Sequence, residues 1–141
     1  FTSKIIGTRA ISKDINVINK IGEKTIEHFK EARIATVIKH IPGHGLAKSD
    51  SHLKLPIVDK TYEYLIKNDF KTFKNKKSLF AMTAHILFKK IDANNPVTHS
   101  SNIIGIIKKK IKFRNIIISD DISIKKLKFN ISINTTKTFT F

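Results

Sequence analysis

The sequence contains no cysteine, and its 141 residues include 27 Lys and Arg but only 11 Asp and Glu. Without cysteine, a disulfide framework, a thiolate nucleophile and a Cys-based zinc site are all excluded. No run of about 18 apolar residues is present, so we predict no transmembrane helix and expect no membrane partner. A composition of 40% hydrophobic and 27% charged residues is typical of a soluble globular domain.

The shortage of acidic residues leaves a net charge of +16, which suggests a polyanionic partner such as nucleic acid. The lysines are nevertheless spread along the chain. Their densest runs, at 71–77, 108–112 and 125–128, lack interleaved arginines and regularly spaced stacking aromatics. We therefore expect no specific nucleic-acid partner, and a basic nucleic-acid-binding module is kept as an alternative function.

Segments with helical periodicity alternate with short apolar runs that have the length and composition of strands. This alternation predicts βαβ units and an α/β fold with a parallel sheet. The strands are continuous apolar runs, as expected when both faces of a sheet are covered. The predicted order is helix 14–31 capped by Asp14, strand 35–41, helix 59–70 opened by Asp59, strand 79–84, helix 101–111 capped by Ser100 or Ser101, strand 115–118 and a short helix 122–128.

Each of the three predicted strands ends in polar side chains. These groups are Lys39 and His40, the segment 83–85, and the segment 119–121. Because parallel strands place their carboxyl ends on one edge of the sheet, we expect these groups to converge there. The sequence therefore predicts a site at the carboxyl ends of the strands.

The loop after the first strand carries K-H-I-P-G-H-G at residues 39–45 and D-S-H at residues 50–52. Asp50 and His52 are two residues apart, so in an extended segment their side chains point the same way. The carboxylate can then orient the imidazole as a general acid/base. Asp120 is compatible with three roles, as a nucleophile, a metal ligand or a helix cap. A metal-dependent hydrolase is a further alternative, with a ligand set drawn from His40, His44, His52, His85 and Asp120.

Four segments together resemble bacterial β-N-acetylhexosaminidases of glycoside hydrolase family 3. The long signature is similar to the family's K-H-F-P-G-H-G…D-S-H…L-P and is highly specific. M-T-A-H at residues 82–85, S-D-D at residues 119–121 and G-T-R-A at residues 7–10 match shorter family segments in the same order. The resemblance covers about residues 5–128, and we assign 1–128 to the central part of the catalytic domain.

The resemblance implies a (β/α)8 TIM barrel and a retaining mechanism with a covalent glycosyl-enzyme intermediate. Asp120 matches the family's nucleophile, and His52 matches its acid/base, oriented by Asp50. The substrate-binding residues implied are Arg9, Lys39 and His40. The implied substrate is an N-acetylglucosamine-containing saccharide or muropeptide of peptidoglycan recycling in the bacterial cytoplasm. The resemblance implies no metal or cofactor, and a monomer for the complete enzyme; hydrolysis and phosphorolysis both stay open.

Family members are more than twice as long as this chain, so we expect a partial barrel, incomplete at both ends. The first residue is Phe1 rather than Met, which suggests that the natural protein starts upstream. We predict that residues 129–141 form an irregular tail, because their composition does not resemble the family's continuation. An incomplete parallel barrel exposes sheet edges and apolar strand faces. We therefore expect the isolated chain to be poorly folded or inactive. An inactive truncated fragment of such an enzyme is accordingly an alternative to an active enzyme.

Overall fold

A computed structural model describes residues 7–47 and 55–122. Within these two ranges no helix combines the length and the apolar character needed to cross a membrane. The elements are helices α1 (Ile15–Glu31), α2 (Tyr62–Lys67) and α3 (Ser101–Ile106) and strands β1 (Val37–Ile41), β2 (Ile57–Val58), β3 (Phe80–Thr83), β4 (Leu87–Phe88) and β5 (Ile116–Ser119). The 3-10 turns are Gly7–Arg9, Asp69–Phe73 and Val97–His99, and a π-helical turn spans Ile107–Ile111.

Strands β1, β3 and β5 form one parallel sheet in the order β1-β3-β5. The sequence prediction of an α/β fold with three parallel strands is therefore confirmed. Val37, Phe80 and Ile116 are aligned at the start of the strands, and Ile38, Ala81 and Ile117 form the next row. The register between β1 and β3 then shifts after Lys39, so that Ile41 pairs with Thr83.

The core lies on one face of this sheet. Ala81 and Ile41 are completely buried there, and Ile38 and Ile117 pack against the same cluster. The opposite face carries Val37, which is 44% exposed, and Ile116, which is 52% exposed. The expectation that both faces are covered thus holds for only one face within the described ranges. The helical side of the core is built from Leu65, Phe70, Ile103, Ile104, Ile107, Ile111 and Phe113.

The predicted first helix is confirmed, with Asp14 as its N-cap. The Asp14 side chain accepts a hydrogen bond of 2.7 Å from the backbone N–H of Asn16. Such a cap satisfies one of the N–H groups that a helix start leaves without a partner. Ile26 is the buried residue of this helix, whereas its apolar residues Val17, Ile21 and Phe29 are 40–44% exposed.

The second helix is shorter than predicted and begins later. Thr61, not Asp59, is its N-cap, and the Thr61 hydroxyl accepts from the backbone N–H of Tyr64 at 3.3 Å. After Lys67 the chain changes to the 3-10 turn Asp69–Phe73. The prediction of one continuous helix over 59–70 was wrong because a capping hydroxyl two residues after Asp59 sets the start.

Ser100 caps the third helix, as predicted, and accepts from the backbone N–H of Ile103 at 3.2 Å. The helix passes into the π-helical turn and ends at Lys112, whose φ is +62°. The sequence did not predict a second, two-stranded parallel sheet formed by β2 and β4. These strands have two residues each, too few to show a periodicity. The predicted helix 122–128 and tail 129–141 lie outside the described residues, apart from Ile122.

Candidate functional site

The carboxyl ends of β1 and β5 bring His40 and Asp120 together. His40 Nε2 lies 3.6 Å from Asp120 Oδ2, and both side chains are less than one-fifth exposed. These residues are 80 positions apart in sequence, so the contact depends on the parallel sheet. Convergence of the strand-end groups is confirmed for this pair.

The loop after β1 makes a close approach that needs glycine. Gly43 has a φ of +151°, which L side chains rarely adopt. A Cβ at Gly43 would stand 2.7 Å from the Cβ of Asp69, and one at Gly45 would stand 3.2 Å from Asp69 Oδ1. Between the two glycines, the His44 ring has its centroid 5.5 Å from that of His40. The glycines therefore let the histidine loop pack down onto the turn after α2.

Asp69 is a partly buried carboxyl group that no sequence motif singles out. Burial raises its pKa, and a backbone hydrogen bond only partly opposes the effect. Its position against Gly43 depends on the packing of two separate loops, for which no local motif exists.

A cavity of about 360 Å³ lies beside the histidine loop. Lys39 and His40 line it from the strand end, and Asn68 and Tyr64 line it from α2 and its C-terminus. A volume of this size is at the lower end for small-molecule sites. Lys39 and His40, both predicted to bind substrate, thus border one cavity.

His85 follows β3, and its buried ring contacts both the backbone next to Asp120 and the 3-10 turn Val97–His99. Its Nε2 lies 2.9 Å from the backbone oxygen of Asp121, and its Nδ1 lies 2.9 Å from the Thr98 hydroxyl. Thr98 in turn is 3.1 Å from the Thr83 hydroxyl at the end of β3. Burial lowers the pKa of His85, while the Asp121 carbonyl and the nearby carboxylates of Asp120 and Asp121 oppose that shift.

Three of the predicted site residues, Asp120, His40 and Lys39, lie at the carboxyl edge of the sheet. Arg9 ends a 3-10 turn, and its side chain is outside the described part of the structure. Asp50 and His52 lie outside the described residues as well, so their proposed dyad stays a prediction.

Sequence reasoning assigned no role to Thr98 and Asp69. The Thr98 hydroxyl contacts His85 and Thr83, which are 13 and 15 positions away in sequence. No local periodicity indicates contacts over such a separation. Within residues 7–47 and 55–122, no group of three or more His, Asp or Glu side chains is arranged to hold a metal ion.

The fold and the site define a class of protein, namely α/β domains whose chemistry lies at the carboxyl ends of parallel strands. The sequence matches the family model described as "Glycosyl hydrolase family 3 N terminal domain" over residues 2–138. The chain therefore belongs to glycosyl hydrolase family 3, a family of glycoside hydrolases, and the family resemblance is confirmed.

Several bacterial proteins of this family are similar to the chain. It is 33% identical over 127 residues to a beta-hexosaminidase of Glaesserella parasuis, covering 87% of the chain and 37% of that protein. It is 34% identical over 125 residues to a beta-hexosaminidase of Idiomarina loihiensis, covering 87% of the chain and 38% of the relative. The chain thus spans little more than a third of the length of these curated relatives.

Solved structures confirm the fold class, a part of a (β/α)8 barrel. The beta-N-acetylglucosaminidase from Thermotoga maritima superposes with a TM-score of 0.83 at 28% identity, over 95% of this chain and 30% of that chain. NagZ from Neisseria gonorrhoeae, solved with N-trifluoroacetyl-D-glucosamine, superposes with a TM-score of 0.85 at 24% identity, over 98% of this chain and 40% of that chain. At 24% identity the second likeness concerns the fold alone.

Proposed function

We propose that this chain carries the nucleophile and the acid/base of a retaining β-N-acetylhexosaminidase. The observation that carries the proposal is the approach of Asp120 to His40 at the carboxyl edge of the sheet. Active sites of (β/α)8 enzymes are built from groups at this edge. The motif containing Asp120 matches the nucleophile segment of the family, and the relatives are beta-hexosaminidases.

In the proposed reaction, an Asp120 carboxylate oxygen attacks the anomeric carbon while the glycosidic C–O bond breaks. His52, oriented by Asp50, gives its proton to the leaving oxygen. His52 then takes a proton from water, whose oxygen attacks the same carbon and releases Asp120 as a carboxylate. This sequence follows the two-step logic of retaining glycosidases, with a histidine where a second carboxylate is usual. The reaction as proposed uses side chains alone, without a metal or a cofactor.

Arg9, Lys39 and His40 are proposed to hold the hydroxyl groups of the terminal N-acetylglucosamine. Lys39 and His40 border the cavity beside the histidine loop, which supports this role. The substrate class is an N-acetylglucosamine-terminated saccharide or muropeptide, and the cellular role is peptidoglycan recycling in the bacterial cytoplasm. We propose that the complete enzyme acts as a monomer.

Hydrolysis of a chromogenic N-acetyl-β-glucosaminide tests the proposal. The assay uses the 141-residue chain and a chimera in which it replaces the matching segment of the Glaesserella parasuis beta-hexosaminidase. We expect activity in the chimera and a loss of at least about 10³-fold in its Asp120→Asn and His52→Ala variants, because each removes one half of a two-group mechanism.

Asp59→Asn is the matched control for Asp120→Asn. Asp59 is exposed and lies 3.7 Å from Lys90 at the surface, so its variant should keep wild-type activity. A folded chimera that hydrolyses nothing contradicts the proposal. Loss of the chimera's activity in Asp120→Asn supports the nucleophile assignment, and activity in the chimera but not in the 141-residue chain identifies the chain alone as an inactive fragment.

A further inference from the structure

His85 connects the end of β3 to the turn that carries Asp120. The side chain is 1% exposed and spans from the Asp121 carbonyl to the Thr98 hydroxyl. A buried imidazole with both nitrogens engaged is fixed in orientation as well as in position. His85 takes no part in the proposed reaction, although it lies next to the residue proposed as nucleophile.

The partners of His85 determine where its protons lie. The Asp121 carbonyl can only accept, so His85 Nε2 must carry a hydrogen and donate it. In the neutral ring Nδ1 is then an acceptor, and the Thr98 hydroxyl donates to it. Thr83 can donate to Thr98 in turn, across 3.1 Å. Backbone carbonyls at 3.4 and 3.5 Å are the more distant alternatives for the two hydroxyls.

Burial supports the neutral form of this ring. Burial lowers the pKa of His85, since a buried imidazolium would lose its hydration. The opposing influences are the Asp121 carbonyl and the two carboxylates of Asp120 and Asp121. Protonation at Nδ1 would also remove the acceptor of the Thr98 hydroxyl. The chain of donors therefore runs in one direction, from Thr83 through Thr98 and His85 to the Asp121 carbonyl.

The same turn is held at Asp120 by backbone contacts. The Asp120 N–H donates to the Thr83 carbonyl at 3.3 Å, and the Asp121 N–H donates to Asp120 Oδ1 at 2.9 Å. Asp121 is thus fixed at its carbonyl by His85, and its N–H holds one oxygen of the Asp120 carboxylate. A displacement of the His85 ring would therefore move Asp121, and with it the Asp120 carboxylate.

From these contacts we infer that His85 and Thr98 are positioning residues that orient the Asp120 carboxylate through the Asp121 backbone. This inference rests on the proposed function of Asp120 as nucleophile. The part played by His85 is mechanical and requires no proton transfer to substrate. We expect the loss of this positioning to lower kcat more than it raises KM, because a misplaced nucleophile slows the chemical step while substrate binding is retained.

The test compares Thr98→Val with Thr98→Ser in the active chimera. Valine keeps the shape and removes the hydroxyl, whereas serine keeps the hydroxyl. We expect Thr98→Val to lower kcat roughly 10- to 100-fold with KM unchanged, the scale of a misplaced catalytic group. Thr98→Ser should keep most of the wild-type kcat. Equal kcat in Thr98→Val and wild type would overturn the inference.

Thr36→Val is the matched control for a merely structural role. Thr36 and Ser78 share a hydroxyl–hydroxyl contact of 2.8 Å at the opposite end of the sheet. Its loss should lower the melting temperature and leave kcat at the wild-type value. If Thr36→Val lowers kcat as much as Thr98→Val does, the effect reflects general destabilisation and the inference is wrong.

A second measurement separates this inference from the proposed function. Nitrogen NMR shifts of the imidazole rings in the folded chimera report which His85 nitrogen carries hydrogen, whether or not the chimera is active. We expect the neutral Nε2–H form at neutral pH in the wild type and in Thr98→Ser. A neutral Nδ1–H form or an imidazolium would overturn the inference, while loss of hydrolysis in the Asp120→Asn chimera would still support Asp120 as the nucleophile.

Discussion

Gly43 lies where two loops approach each other too closely for any side chain. A Cβ there would meet the Cβ of Asp69 at 2.7 Å, and the backbone φ of +151° independently disfavours other residues. Asp69 is anchored in its 3-10 turn, where its carbonyl accepts from the Thr72 hydroxyl at 2.7 Å. The loop, rather than Asp69, would therefore have to move.

We expect Gly43→Ala to lower the free energy of unfolding by about 1–3 kcal/mol, the usual cost of overpacking or of a disfavoured φ. Gly22→Ala is the matched control. Gly22 lies within α1, and a Cβ added there would meet no atom within 4 Å, so alanine should stabilise the helix by up to about 1 kcal/mol. Urea denaturation of both variants measures the difference. A Gly43→Ala protein as stable as wild type would contradict the close approach.

The loop between β4 and α3 is organised by one carboxylate. Asp92 accepts from the backbone N–H groups of Asn94 and Asn95 at 3.1 and 3.0 Å and from the Ser100 hydroxyl at 2.7 Å. Ser100 in turn caps α3 by accepting from Ile103. Burial raises the pKa of Asp92, but these hydrogen bonds together outweigh it and the net shift is downward. Loop and helix start are thus a single hydrogen-bonded unit.

We expect Ser100→Ala to destabilise the protein by about 1–2 kcal/mol, because it removes the cap of α3 and a donor to Asp92 together. Ser101→Ala, at the exposed first residue of the same helix, should change stability by less than about 0.5 kcal/mol. Thermal melts followed by circular dichroism compare the two variants. Equal melting temperatures would show that Ser100 does not act as a cap in solution.

Across the whole molecule, three groups with shifted pKa values give stability opposing dependences on pH. The folded-state pKa of His85 is lowered, so the unfolded chain binds more protons between the two pKa values, and stability falls as the solution is acidified through that window. The pKa of Asp69 is raised, so its contribution favours the folded state in acid and is lost as pH rises through the folded pKa. Asp92 has a lowered pKa, and its contribution is lost only as pH falls through the folded value.

Urea denaturation from about pH 3 to pH 8, which covers the ordinary titration ranges of both aspartate and histidine, separates the two opposing contributions. We expect His85→Gln to flatten the rise of stability with pH, because the group that binds extra protons on unfolding is gone. We expect Asp69→Asn to steepen the rise, because it removes the opposing group. A pH dependence that neither variant alters would show that other groups control it.

The sheet of the whole molecule has one packed face and one open face within the described ranges. The aligned row of Val37, Phe80 and Ile116 lies on the open face, with Ile116 more than half exposed. In a closed (β/α)8 barrel, side chains of alternate strands fill the interior in layers. The apolar side chains on this open face suit the interior of such a barrel, in agreement with a chain that spans little more than a third of its curated relatives.

The sequence by itself determined the alternation of helices and parallel strands, the cap Asp14, the family, and the edge at which Asp120 and His40 meet. It also narrowed the cap of α3 to Ser100 or Ser101. These features follow from local periodicity, capping chemistry and specific motifs, each of which is contained in a short segment of the chain. Only the tertiary structure decided that His85 joins the Thr98 hydroxyl to the Asp121 carbonyl and that Gly43 packs against the Asp69 side chain. The physical reason is that such contacts join residues brought together by packing, and no pattern within one segment records the partner.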